Sequence, residues 1–90
     1  MPIVRLFANL RALAGSSQLE IPGETVRAVM ENLFIEKGML KSAVFDGDAL
    51  RPYVRLMVNG LDIELGQGLS TPLKQEDQVT IFPPITGGAA

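Results

Sequence analysis

Neither cysteine nor histidine occurs among the 90 residues of this chain. Without cysteine there is no disulfide staple and no zinc thiolate site, which suits a reducing compartment, and a cytoplasmic location is expected. Losing histidine as well removes the commonest general base, the thiol nucleophile and the usual transition-metal ligands together. The chain is therefore expected to be no enzyme and to bind no cofactor, acting instead as a component that other proteins handle. Basic residues are sparse too. Arg5, Arg11, Arg27, Lys37, Lys41, Arg51, Arg55 and Lys74 stand singly in the sequence, and the formal net charge is −2. Counterion release on nucleic acid needs clustered cations, so no nucleic-acid partner is expected. No apolar run approaches the roughly 20 residues that span a bilayer, and Met1-Pro2-Ile3-Val4-Arg5 lacks the features of a signal peptide, so no membrane partner is expected either.

What is present is a small domain with 47% hydrophobic residues. At this size folding buries only about 60 to 65% of the unfolded surface, which makes the core modest. Ile3 to Ala8 alternates as a strand, with Val4, Leu6 and Ala8 on one side and Arg5 and Phe7 on the other. Asn9 to Ala14 is too short for a full helix, and Gly15 supplies a left-handed stop. Gln18 to Ile21 reads as a second strand, ended by Pro22-Gly23. Thr25 suits a helix N-cap, and Val26, Val29, Met30, Leu33 and Phe34 follow at the spacing of one helical face until Gly38. That stripe reads as core.

From Met39 to Pro52 the periodicity weakens around the turn signal Asp46-Gly47-Asp48. Its paired aspartates lack the later carboxylate of an EF-hand loop, so they are read as a turn and no metal is expected. Tyr53 to Val58 alternates again, with Val54, Leu56 and Val58 inward. Asn59-Gly60 favours a two-residue type I′ hairpin whose returning strand is Leu61 to Leu65. Gln78 to Phe82 forms the last strand, and Pro83, which has no N–H for a continuing ladder, ends it.

Two strands, a helix and three more strands suit an α+β layer in which one main helix covers a mixed sheet. A β-grasp over residues 1–82 is expected, its last strand parallel to its first, with 83–90 as a tail. Turning Val4, Leu6, Val54, Leu56, Val58, Val79 and Ile81 to the helix leaves Phe7, Met57 and Phe82 on the uncovered face, flanked by Arg5, Arg55 and Thr80. Such a patch marks a partner surface unless arginine stems or the 39–52 segment cover it, and a register slip of one residue would exchange the faces.

The tail itself is Pro83-Pro84-Ile85-Thr86-Gly87-Gly88, followed by Ala89-Ala90. Prolines stiffen its base, and a glycine pair fits a channel that any Cβ would block. From Pro83 to Gly88 it reaches roughly 17 Å when extended. The alternative is an inert chain end.

These residues resemble a known group, the MoaD/ThiS sulfur-carrier family of ubiquitin-like proteins. The similarity lies in Val4-Arg5-Leu6-Phe7-Ala8-Asn9-Leu10-Arg11, in Thr25-Val26, in Gly68-Leu69-Ser70-Thr71-Pro72-Leu73, in Asp77 to Pro84 and in Gly87-Gly88. The stretch Arg51 to Gly60 resembles the molybdopterin-synthase small subunit and the CysO-type carrier of cysteine biosynthesis more than the shorter thiamine carrier. The resemblance implies an E1-like activating enzyme that spends ATP to adenylate the terminal glycine, after which sulfur displaces AMP to leave a thiocarboxylate that donates its sulfur in molybdopterin biosynthesis. Gly88 would be the modified residue, Gly87, Pro83 and Pro84 its approach, and Phe7, Met57 and Phe82, with Arg5 and Arg55, the docking face. Implied partners are that activating enzyme, the molybdopterin-synthase large subunit or another sulfur-accepting enzyme, and a processing metalloprotease. The last is implied because Ala89-Ala90 keep the Gly88 carbonyl in a peptide bond, where there is no carboxylate to adenylate. Three origins of that dipeptide stay open: a precursor extension, a non-native addition, or a relative that has lost the activity. Also open are a sulfur carrier for synthesis of cysteine or another sulfur metabolite, a protein modifier joined to lysines through Gly88, and an inert ubiquitin-like binding module.

Overall fold

A computed structural model describes residues 1–83. Strand β1 (Ile3–Leu6) pairs antiparallel with β2 (Gln18–Glu20) and parallel with the last strand, β7 (Gln78–Phe82). On the other side β7 pairs antiparallel with β5 (Arg55–Val58), which pairs with β6 (Leu61–Asp62). The sheet order is β2-β1-β7-β5-β6, so the first and last strands lie side by side at its centre. That is the expected mixed sheet.

Helix α2 (Val26–Glu36) covers one face, and it starts where the sequence says it should. The Thr25 hydroxyl accepts the Ala28 N–H at 3.1 Å, satisfying one of the free donors of the first turn. Val26, Val29, Met30 and Leu33 are fully buried against Val4, Leu6, Leu56, Val79 and Ile81. At about 1.5 to 3 kcal/mol for each large aliphatic side chain removed from water, this contact is the main source of stability. No polar side chain is buried among the described residues, so the core carries no desolvation debt.

Three expectations need correction. Residues 9–14 do form a helix, α1 (Ala8–Ala14), which burial of Leu10 and Ala14 on one face stabilises despite its two turns. Gly15 does end it in a left-handed conformation (φ 74°), its N–H bonded to the Arg11 carbonyl. Strand β1 stops at Leu6 instead of Ala8, because Phe7 remains extended while Ala8 turns at φ 53° to begin α1. The strand after Asn59-Gly60 spans only Leu61–Asp62. Its Asp62 carboxylate accepts the Glu64 N–H at 2.9 Å, drawing the backbone out of the ladder into a 3₁₀ turn, Ile63–Leu65, that buries Ile63. Period-two alternation alone cannot see that competition.

The hairpin turn is as expected, with Asn59 at φ 50° and Gly60 at φ 87°. Residues 39–52 become a 3₁₀ turn, the short helix α3 (Lys41–Val44) and a second hairpin of β3 (Phe45–Asp46) and β4 (Ala49–Leu50), turning at Gly47. Gly23 is the tightest point, since a Cβ there would lie 2.6 Å from Val29 Cγ2 and 2.7 Å from the Val29 nitrogen. Gly23→Ala is expected to cost about 2 to 4 kcal/mol by pushing α2 off the sheet, whereas Gly47→Ala, strained but meeting nothing, should cost about 1 kcal/mol. Urea unfolding of the two variants measures both.

Candidate functional site

The pleat decides which side chains the helix leaves uncovered. Across β1, β7 and β5 the register sets Arg5 opposite Thr80, Thr80 opposite Met57, and Phe82 opposite Arg55. Phe7 continues the β1 row one step past Leu6, which itself pairs with Ile81, and so arrives beside Phe82. The two rings stack at 5.0 Å between centroids and 11° between planes. Each remains 37% exposed, more than packing alone requires of a large aromatic ring. Met57 and Thr80 are half-buried beside them, while Arg5 and Arg55 are exposed. The five residues expected at a partner surface therefore share one face, and the 39–52 segment leaves both rings partly open.

Arg55 is held from the neighbouring strand. Its guanidinium donates to Asp62 Oδ2 at 3.0 Å, across the diagonal that the Met57–Asp62 pairing creates. The Glu64 backbone N–H, and then Arg55, hold the Asp62 carboxyl below its ordinary pKa. Asp62 was not among the sequence candidates, because its role follows from the hairpin register, which the Asn59-Gly60 turn already specifies.

Pro83 is half-buried at the end of β7, immediately past Phe82. Pro84, Gly87 and Gly88, the other expected tail residues, lie outside the described residues. Among the described residues there is no group of three or more histidine, cysteine, aspartate or glutamate side chains able to hold a metal ion, and no helix is long and apolar enough to cross a membrane. Chemically, then, the described body offers an apolar platform with cationic flanks beside the root of the tail.

A family model described as the ThiS family matches residues 4–88. The chain belongs to that family, the ubiquitin-like sulfur carriers. Among solved structures it is similar to small archaeal modifier protein 1 from Methanosarcina acetivorans, with 38% identity and a TM-score of 0.88 over 96% of this chain and 94% of that one. It is similar also to a chain of the Amycolatopsis orientalis BexX/CysO complex, with 25% identity and a TM-score of 0.90 over 98% and 100%. The molybdopterin synthase sulfur carrier subunit of Escherichia coli is 29% identical over 87 residues, 94% of this chain and 96% of that one. These likenesses bear out the β-grasp expected from the element order.

A second cluster secures the sheet at the end where β7 starts. Asn59 accepts the Gln78 N–H at 2.9 Å and donates to Asp77 Oδ1 at 3.0 Å, while Asp77 Oδ2 takes the Lys74 N–H at 2.8 Å. The Lys74 backbone bond first, and the Asn59 amide second, lower the Asp77 pKa from 3.8. A carboxylate with a depressed folded-state pKa contributes stability above its unfolded value and loses it as pH falls through the folded one. The urea midpoint should therefore drop as pH falls below about 4, and Asp77→Asn should flatten that slope while lowering the plateau at neutral pH.

Proposed function

We propose that this chain is a sulfur carrier, without catalysis of its own, whose Gly88 carboxylate is the working group once Ala89-Ala90 have been removed by a metalloprotease. The reaction sequence balances simply. A carboxylate oxygen of Gly88 attacks the α-phosphorus of ATP on an E1-like activating enzyme, expelling pyrophosphate. Sulfide from a donor then attacks the acyl carbon and AMP leaves, so that one oxygen of the carboxylate is exchanged for sulfur. On the large subunit of molybdopterin synthase the thiocarboxylate sulfur then attacks an electrophilic carbon of the acceptor bound there, and water hydrolyses the resulting thioester, leaving the sulfur on the acceptor and returning the Gly88 carboxylate.

The observation that carries this reading is the position of the stacked Phe7–Phe82 pair at the point where β7 ends and the tail begins. A partner seated on those rings receives the tail from a fixed direction, which converts a search by the chain end into an oriented approach. The family match supports carriage. The molybdopterin step is supported by the likeness to the Escherichia coli subunit, which extends over 94% of the chain. A second reading, a modifier joined to lysines through Gly88, is favoured by the 38% identity with small archaeal modifier protein 1. Both share the acyl adenylate and diverge only in the nucleophile that follows.

Intact-mass spectrometry separates the readings. Incubation with the protease, the activating enzyme, ATP and a sulfur donor should remove two alanines and then add the mass difference between sulfur and oxygen. Gly88→Ala should abolish the second step, and lysine-linked conjugates in its place would favour the modifier. Phe82→Ala should cost only about 1 to 2 kcal/mol of stability, because the ring is partly exposed, yet raise the activating enzyme's KM for the carrier roughly tenfold or more. An unchanged KM would remove the aromatic face from the reading.

A further inference from the structure

Arginines that stand apart in the sequence are gathered by the fold. Arg5 lies on the uncovered face, Arg11 is exposed one helical turn beyond Phe7, and Arg51 and Arg55 flank the start of β5, so four of the five arginines surround the end of the sheet from which the tail leaves. At the other end, where β1 and β7 begin, Glu20, Glu24, Glu76 and Asp77 outnumber Lys74 and the amino terminus. A chain of net charge −2 thus has a basic end at its tail root.

A cleft of about 320 Å³ opens at that end. Leu50, Pro52 and Val54 give it apolar walls, with Arg51, Arg55 and Glu64 among its charged lining. Arg51 Nε donates to the Ser42 carbonyl at 2.6 Å and one Arg55 nitrogen donates to Asp62. Each fork is anchored by one bond, and among the described residues its remaining donors have no partner. Asp62 is already occupied, accepting from both Glu64 and Arg55 with its side chain only 13% exposed. Beside the exposed Glu64 carboxylate, what the cleft offers a visitor is the unpaired guanidinium N–H groups of Arg51 and Arg55, whose planar fork fits a carboxylate.

We propose that this cleft receives an acidic segment of the enzyme that engages the tail, its carboxylates meeting the outward edges of Arg51 and Arg55, and that Asp62 is the positioning residue for Arg55. The proposal rests on the carrier reading and adds to it the chemistry of the partner. Two features favour a protein segment over a free phosphate. The apolar walls suit side chains, and Arg55 on the cleft's lining is the cross-strand neighbour of Phe82 on the aromatic face, so one partner can reach both.

The cleft can be tested without any partner enzyme. The full-length chain, ¹⁵N-labelled, is titrated with acetylated, amidated tetraglutamate at about 0.01 M salt, where charges are screened over about 30 Å. Saturable shifts of the Arg51 and Arg55 Nε–H signals and of the Leu50, Val54 and Glu64 backbone amides on the cleft lining are expected, reversed by salt. In the Arg51→Gln/Arg55→Gln double variant, whose otherwise unchanged amide spectrum reports an intact fold, those three amides should no longer shift. Shifts spread over all arginines, or produced by inorganic phosphate and not by tetraglutamate, would overturn it. With the activating enzyme and the carrier ending at Gly88, Arg55→Gln should raise KM about tenfold with kcat unchanged. Asp62→Asn, which keeps the acceptor for Glu64 but loses the charge that holds Arg55, should raise it about threefold. If Phe82→Ala impairs activation while the arginine variants behave as wild type, the cleft is wrong and the carrier reading stands. If the unaltered carrier is never activated, the carrier reading falls and the titration alone decides the cleft.

Discussion

The parallel pairing of the first strand with the last is the constraint on which the rest of the molecule depends. Setting Val4 against Val79 and Leu6 against Ile81 fixes the parity of the two central strands, and parity decides what faces α2. A slip of one residue would bury Arg5 and Thr80 and expose the aliphatic core. The same register brings Phe7, at the end of one strand, beside Phe82, at the end of the other. Because the strands run in the same direction, both rings fall at the end where the chain leaves the sheet. An antiparallel arrangement would put them at opposite ends. The exit of the tail and the platform beside it are thus one consequence of one pairing.

Holding that pairing requires closure of contacts far apart in sequence. The apolar layer under α2 supplies most of the energy, but it is non-directional and would tolerate some sliding of β7. Direction comes from a few polar bonds. At the start of β7, Asn59 and Asp77 tie the hairpin turn to the incoming strand. Near its end, the Arg55–Asp62 bridge joins β5 to β6 on the uncovered face. Neither is buried, so each adds little stability in water. Their value lies in geometry, since they keep the outer strands aligned while the core supplies cohesion.

Much of this was legible from residue order because local and long-range signals agree. Thr25 caps the helix that Val26, Val29, Met30 and Leu33 then bury, and the positive φ angles at Asn59 and Gly60 are those their residue types favour. The outer-face group Phe7, Met57, Phe82, Arg5 and Arg55 follows from alternation once the strands are paired. What escaped the sequence depends on competition between neighbours. At Asp62 a carboxylate takes a backbone N–H and ends a strand whose pattern continues to Leu65. At Ala8 the chain gives up two residues of β1 to start a helix that is too short to be stable alone and survives because Leu10 and Ala14 are buried. The clustering of arginines is illegible for another reason: it arises from contacts between segments about 50 residues apart, and no window along the chain contains it. The tail residues Gly87 and Gly88 lie outside the described residues, which end at Pro83.

The division between the aromatic face and the basic end also makes physical sense for a protein that must be accepted and then released. Apolar contact between Phe7–Phe82 and a partner, as proposed, would be short-ranged and insensitive to salt, and would set how long a complex lasts once formed. Guanidinium groups act over the screening length of about 8 to 10 Å and chiefly speed encounter and choose orientation. Placed together at the tail root, the cations would turn the basic end toward an acidic partner before the rings touch it, and the acidic opposite end would disfavour the reversed approach. The chain's overall negative charge then costs little in association, because what the partner meets first is the local field at one end. A carrier built this way separates the rate at which it is found from the time for which it is held, and each can be altered at different residues of the same face.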